Sequence, residues 1–280
     1  MKEQLLTRRG NPWPEGYRCC IAFSFDLDAE TLWMSRNPDN YKRPVTLSQG
    51  AYGYKEAIPR ILRLLKKYDL HATFFIPGWV VERHEELVKA MDDLGHEIGH
   101  HGYLHEWPDT LELDKEKEII QKGIDIIYHA TGKRPIGYRS PAAEFSQNSL
   151  KLLVENEFVY SGTMMDSDLP YKHRVDGKET SLVELPFQWH NDDAVHFMFA
   201  IRPPQRMRVA EPTGVFNMWK IEFDCIYDEC LWLNFVLHPQ IIGQPHRMRL
   251  LEDLIVYIKY RSDVWIPTMA EAAIYWKKHH

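Results

Sequence analysis

The stretch Gly95-His96-Glu97-Ile98-Gly99-His100-His101-Gly102-Tyr103-Leu104-His105 interleaves two histidine pairs of equal spacing, and its local form decides the fold. As a helix, His96-Glu97-Ile98-Gly99-His100 fits H-E-x-x-H, in which two histidines and a glutamate share a zinc-protease face. As a strand, it points His96, Ile98 and His100 one way and Glu97, Gly99 and His101 the other. The chain then turns past Gly102 and can bring His105 back beside His101. Three glycines weigh against the helix at about 1 kcal/mol each relative to alanine. The stretch also follows directly on an amphipathic segment, residues 80–94, for which Gly95 is well placed as C-cap. A strand over residues 96–100 is therefore expected, and with it the pair His101 and His105.

Outward from this strand, short runs rich in β-branched and aromatic residues alternate with segments of helical period. Strands are expected at residues 20–25, 71–76, 136–139, 158–161, 182–185, 231–237 and 264–266. Helices are expected at 55–68, 80–94, 115–131, 148–156, 212–230, 247–260 and 269–277. In the first of these, Ile58, Ile61, Leu62 and Leu65 share a face. Strands separated by helices pair in parallel through crossovers. Seven or eight such units in 280 residues suit an α/β fold, a closed or nearly closed β/α barrel rather than an open sheet, with one domain spanning residues 1–280. In such barrels the chemistry sits at the C-terminal ends of the strands. Residues 33–54, polar and broken by Pro and Gly, read as a long functional loop.

Composition narrows the class. Apolar residues make up 44% of the chain, and the net charge of −6 comes without a basic block, which argues against nucleic acid. No apolar run approaches the roughly 18–20 residues of a membrane span. The N-terminal MKEQLLTRRGNPWPEG lacks the apolar stretch of a secretory signal, so a cytoplasmic protein is expected. Cys19, Cys20, Cys225 and Cys230 form no C-x-x-C pair and read as reduced thiols. His279 and His280 are set apart as a possible tag remnant.

The expected strand ends carry the chemistry. Phe23-Ser24-Phe25-Asp26-Leu27-Asp28 runs from an apolar strand into two carboxylates, and buried charge is costly unless paired or metal-bound. Two imidazoles and one carboxylate make an open divalent-metal site with room for water. The second aspartate is then free to act as a base. Arg139 ends another strand and His238 a third, on the same face of the barrel.

Together these segments resemble the polysaccharide deacetylase superfamily, the NodB-homology or carbohydrate esterase family 4 type. Its five motifs appear in order as Ser24-Phe25-Asp26-Leu27-Asp28, His101-Gly102-Tyr103-Leu104-His105, Arg139-Ser140-Pro141, a carboxylate near Asp166-Ser167-Asp168, and Leu237-His238-Pro239. The resemblance implies a distorted (β/α) barrel in which Asp28, His101 and His105 bind a divalent ion, zinc before Co2+, Ni2+ or Mn2+. It further implies Asp26 as the base that activates water, Arg139 as the partner of Asp26, and His238 as the acid for the departing nitrogen. Asp166 or Asp168 would orient His238. Trp189, Tyr103 and Pro141 are expected to line the substrate pocket.

Two departures bear on substrate: the aspartates are spaced D-x-D, and Ala29-Glu30 stands where glycine is usual. Residues 52–68, 72–78 and 184–193 resemble a subgroup that includes intracellular-type peptidoglycan deacetylases, cyclic imide hydrolases and metal-free allantoinases. The intact Asp28, His101 and His105 set this chain apart from the metal-free members. The resemblance also implies a homotetramer, for which aromatics of residues 216–232 supply either an interface or core. The expected function is hydrolysis of a non-peptide C–N bond. A small amide or cyclic imide is favoured, with N-deacetylation of a saccharide as the alternative and an inactive sugar-binding barrel as a reading from another class.

Overall fold

The computed structural model describes residues 10–199 and 209–280. Among the described residues nine strands form one sheet: β1 (Cys19–Asp26), β2 (Thr73–Ile76), β3 (Glu97–His100), β4 (Gly137–Tyr138), β5 (Tyr160–Ser161), β6 (Tyr171–Val175), β7 (Lys178–Glu184), β8 (Trp232–Leu237) and β9 (Val264–Trp265). Their order is β6-β7-β5-β4-β3-β2-β1-β8, with β9 also pairing β1. Only β6 and β7 pair antiparallel; the other pairings are parallel. Eight strands thus share one direction, as the alternation of elements predicts. The ladder does not run unbroken around the ring: beyond β7 a lone parallel bridge, Asp192 to Val236, brings the chain beside β8. This irregular closure is the distortion of the barrel.

All eight residues of β1 are buried, as expected of a parallel strand covered on both faces. Phe23 stacks on Phe235 of β8 at 5.5 Å and Phe25 on Phe74 of β2 at 5.1 Å between centroids. The helix Ile58–Lys67 buries Ile58, Ile61, Leu64 and Leu65. Burying such a side chain contributes about 1.5–3 kcal/mol. Trp219, Phe223 and Trp232 are buried, so these aromatics serve the core. The four cysteines are unpaired. Among the described residues no helix is long and apolar enough to cross a membrane.

Three expectations change. Residues 33–54 are not an open loop: after the turn Thr31–Met34 come a 3-10 segment Pro38–Lys42 and a helix Pro44–Tyr52. Buried Asn40 ties the first two together by donating to the Trp33 carbonyl at 2.7 Å. The helix expected at 80–94 breaks at His84, φ −134°, into Gly78–Arg83 and Glu85–Asp93. Finally, β6 and β7 form a hairpin, of which periodicity predicts only the strand at residues 182–185. Asp176 (φ 49°) and Gly177 (φ 76°) adopt the paired left-handed conformation that an Asp-Gly turn favours.

Candidate active site

β3 settles the two histidine pairs. His96 and His100 face away from the strand-end chemistry. The Ala72 amide donates to His96 Nδ1 at 3.3 Å, and His100 Nε2 lies 3.1 Å from the Ile120 carbonyl. His100 packs against Gly123, where any Cβ would strike its ring. Glu97, on the opposite face, accepts from Thr73 Oγ1 at 2.6 Å, Tyr160 OH at 2.7 Å and the Ala270 amide at 2.9 Å. It is a structural cap beneath the helix Met269–His279, not a base beside a metal.

Beyond β3 the chain turns at Gly102 (φ 70°), and His105 adopts φ 59°, a left-handed conformation that costs a non-glycine residue roughly 1–2 kcal/mol. The turn brings the His105 and His101 rings to 5.1 Å. Asp28, just past β1, completes a buried cluster whose ligand atoms lie within 4.8 Å of one another. Asp28 Oδ1 is 3.3 Å from His101 Nε2 and 4.0 Å from His105 Nε2. Nδ1 of His101 donates to the Arg139 carbonyl at 2.9 Å, and Nδ1 of His105 lies 3.3 Å from Ser35 Oγ. Both rings therefore offer Nε2 to the cluster, in the manner of metal ligands steered by outer hydrogen bonds.

The donor set fits a divalent cation. Asp28 Oδ1 is buried without a hydrogen-bond partner, a costly state for a carboxylate oxygen unless a cation meets it. Burial pushes the Asp28 carboxyl upward, but His105, His101 and His238 overcome this and hold it down at about 2. Burial pulls His105 down to about 4, leaving a neutral ring with a lone pair. For His101 the pull of burial is outweighed by Asp26 and Asp28, and its pKa is raised.

Asp26, at the end of β1, takes a 2.8 Å ion pair from Arg139 Nη1. Arg139 is itself anchored: Nη1 donates to Ser24 Oγ at 2.9 Å, Nε donates to the Gly162 carbonyl at 3.1 Å, and the guanidinium lies over Phe75. His238, after β8, has Nδ1 2.7 Å from Asp193 Oδ1 and 3.7 Å from Asp192 Oδ1. Its backbone amide also donates to Asp193 at 3.1 Å. Burial opposes protonation of His238, yet the two carboxylates raise its pKa well above the ordinary value. Asp192 is pushed up to about 7 by burial and by Asp193, against the pull of His238. A pocket of about 250 Å³ joins Asp26, His101, His105, Arg139 and His238 to two half-exposed indoles, Trp107 and Trp189.

Residues 46–161 match the family model described as polysaccharide deacetylase. A peptidoglycan deacetylase of Helicobacter pylori is 32% identical over 90% of this chain and 94% of its own length. The chain belongs to the polysaccharide deacetylase family. A crystal structure from Mycobacterium smegmatis, described as a polysaccharide deacetylase, superposes with a TM-score of 0.91 at 34% identity, covering 97% of this chain and 94% of that one. A Puue allantoinase structure follows at 0.84 and 25% identity, with 98% and 95% covered. As a family member the chain is a hydrolase acting on amide C–N bonds.

Within this deacetylase fold Asp26, Asp28, His101, His105, Arg139 and His238 converge, whereas Asp166 and Asp168 do not join His238. Asp166 accepts from Tyr171 OH at 2.7 Å, and the Asp168 carbonyl accepts from the Trp232 amide at 3.1 Å. The carboxylates on His238 are Asp193 and Asp192, delivered by the lone bridge to β8. Trp189 lines the pocket, but Tyr103 turns out to Glu82 at 2.9 Å. Pro141 is buried against Gly102, and its neighbours Ser140, Ala142 and Ala143 line the pocket instead. Ala142 and Ala143 have φ 58° and 54°, so the turn after Arg139 holds two non-glycine residues in the left-handed region.

Proposed function

We propose that this protein, acting as one catalytic domain, is a metal-dependent N-deacetylase of N-acetylated saccharides of the peptidoglycan type. The observation that carries the reading is the joint placement of Asp26 on Arg139 and His238 on Asp193 about the Asp28–His101–His105 cluster, with Asp26, His101, His105, Arg139 and His238 lining one pocket. The saccharide is favoured over the imide because a relative similar over nearly its whole length is a peptidoglycan deacetylase. The two exposed indoles suit the apolar faces of sugar rings.

Asp28, His101 and His105 would hold the divalent cation, zinc before cobalt, nickel or manganese, whose chemistry when bound is to polarise the amide carbonyl and lower the pKa of water towards roughly 7. Arg139 orients the Asp26 carboxylate, which takes the proton of the attacking water. His238 donates Nδ1–H to Asp193 and presents a protonated Nε2 to the amide nitrogen. The C–N bond breaks as that nitrogen takes the proton, giving acetate and a free amine, the poor leaving group that general-acid catalysis serves.

A second reading, a small amide or cyclic imide, draws on the likeness to the allantoinase structure and on the modest pocket. Ligand pockets commonly span roughly 300–1,000 Å³. The deciding assay measures acetate released from N-acetylated oligosaccharides beside turnover of succinimide, hydantoin and dihydrouracil. Turnover of the imides without acetate release would overturn the saccharide reading.

A further inference from the structure

Asp28 has two oxygens in different situations. Oδ1, facing His101 and His105, is buried without a hydrogen-bond partner. Oδ2 lies 3.4 Å from the side-chain amide of Gln240 and 3.7 Å from His238 Nε2. We propose that Gln240 is a positioning residue for the metal: its Nε2–H holds Oδ2 and commits Oδ1 to the cation. This rests on the proposed metal site. Gln240 is itself buried, in the helical turn Pro239–Ile242 that follows His238. Its orientation is dictated by charge, because the reversed amide would set an oxygen against the Asp28 carboxylate. The outward Oε1 is buried and partnerless, so the residue gives up one hydrogen bond in order to keep the other. Packing clamps the side chain from behind. The π-helical turn Gly53–Ala57 brings Gly53 so close that a Cβ there would sit 3.3 Å from both the backbone nitrogen and the side-chain Oε1 of Gln240. A π-turn is an uncommon device that recurs at functional sites. His101 and His105 have their outer partners in the Arg139 carbonyl and Ser35, and Gln240 supplies the same service to the carboxylate ligand.

The test titrates zinc into chelator-stripped protein against a competing chromophoric chelator, with wild type, Gln240→Met and Gln240→Ala. Methionine keeps the length of the side chain without its donor, and alanine guards against a misfit of methionine. Zinc affinity should fall about 10–100-fold in both variants, while the melting temperature of the metal-free protein stays at the wild-type value. The visible spectrum of the cobalt-loaded Gln240→Met protein should also change, since the carboxylate is freed to turn. Wild-type zinc affinity in the variants would overturn the role of Gln240 and leave the proposed function standing. A wild type that binds no zinc would overturn the metal site itself.

Discussion

At the level of single residues, the pairing of His238 with Asp193 separates two roles that the chain's many aspartates could play. Asp193 contacts both the ring and the backbone amide of His238, and so fixes the tautomer as well as the charge. Asp192 spends Oδ1 on the Ala194 amide at 2.7 Å and stands farther from the ring. Asp193→Asn should therefore lower kcat by about 10²–10⁴-fold, the usual scale of general-acid catalysis, with zinc affinity preserved. Asp166→Asn and Asp168→Asn should leave kcat at the wild-type value. Steady-state kinetics of the three variants on one N-acetylated oligosaccharide checks this, and a large loss in either of the latter two would displace Asp193. Spacing could not have located Asp193. The motif carboxylate is tied to no strand of its own, and the bridge that delivers it joins residues more than 40 positions apart.

At the level of elements, β3 shows how one strand divides its histidines. His101 and the turn behind it go to the site, whereas His96 is spent on packing against Phe74 and His71. Burial, with help from His71, pulls His96 down to about 4 from 6.5. The unfolded chain then binds a proton more readily than the folded one, so this contribution is complete above about 6.5 and is lost as pH falls towards 4. The loss approaches about 3 kcal/mol for one such group. Urea unfolding between pH 7 and 4 should show the decline, and His96→Phe should flatten it; an unchanged slope in the variant would remove His96 as the cause. The strand form of β3 was legible because three glycines disfavour a helix and because alternation separates His100 from His101. Less of residues 33–54 was legible. Their helices lack a regular apolar stripe and are held by specific contacts instead, such as Asn40 on Trp33 and the approach of Gly50 to the Ala29 backbone.

For the whole molecule, the alternation of elements carried the parallel topology, and the polar ends of β1, β4 and β8 carried most of the site, since in a parallel sheet those ends gather on one face. The hairpin β6–β7 and the incomplete closure beyond it were hidden, because pairing between distant segments leaves little trace in local periodicity. The same long-range assembly makes the metal site a property of the folded state. Asp28 follows β1 and the two histidines follow β3, with β2 between these strands, so an unfolded chain does not hold the three together. A cation that binds only the native protein stabilises it by mass action, by about 2.7 kcal/mol at a free concentration 100 times Kd. For a chain of this size that corresponds to a rise in Tm of about 4–6 °C. Scanning calorimetry of chelator-stripped protein with and without zinc should show the rise, and His105→Ala should abolish it. Equal melting temperatures for wild type with and without zinc would mean that the cluster holds no cation, and Asp28 Oδ1 would then need another partner. A rise that persists in His105→Ala would place the ion elsewhere, with the buried Asp192–Asp193–His238 group as the next site to test by substitution.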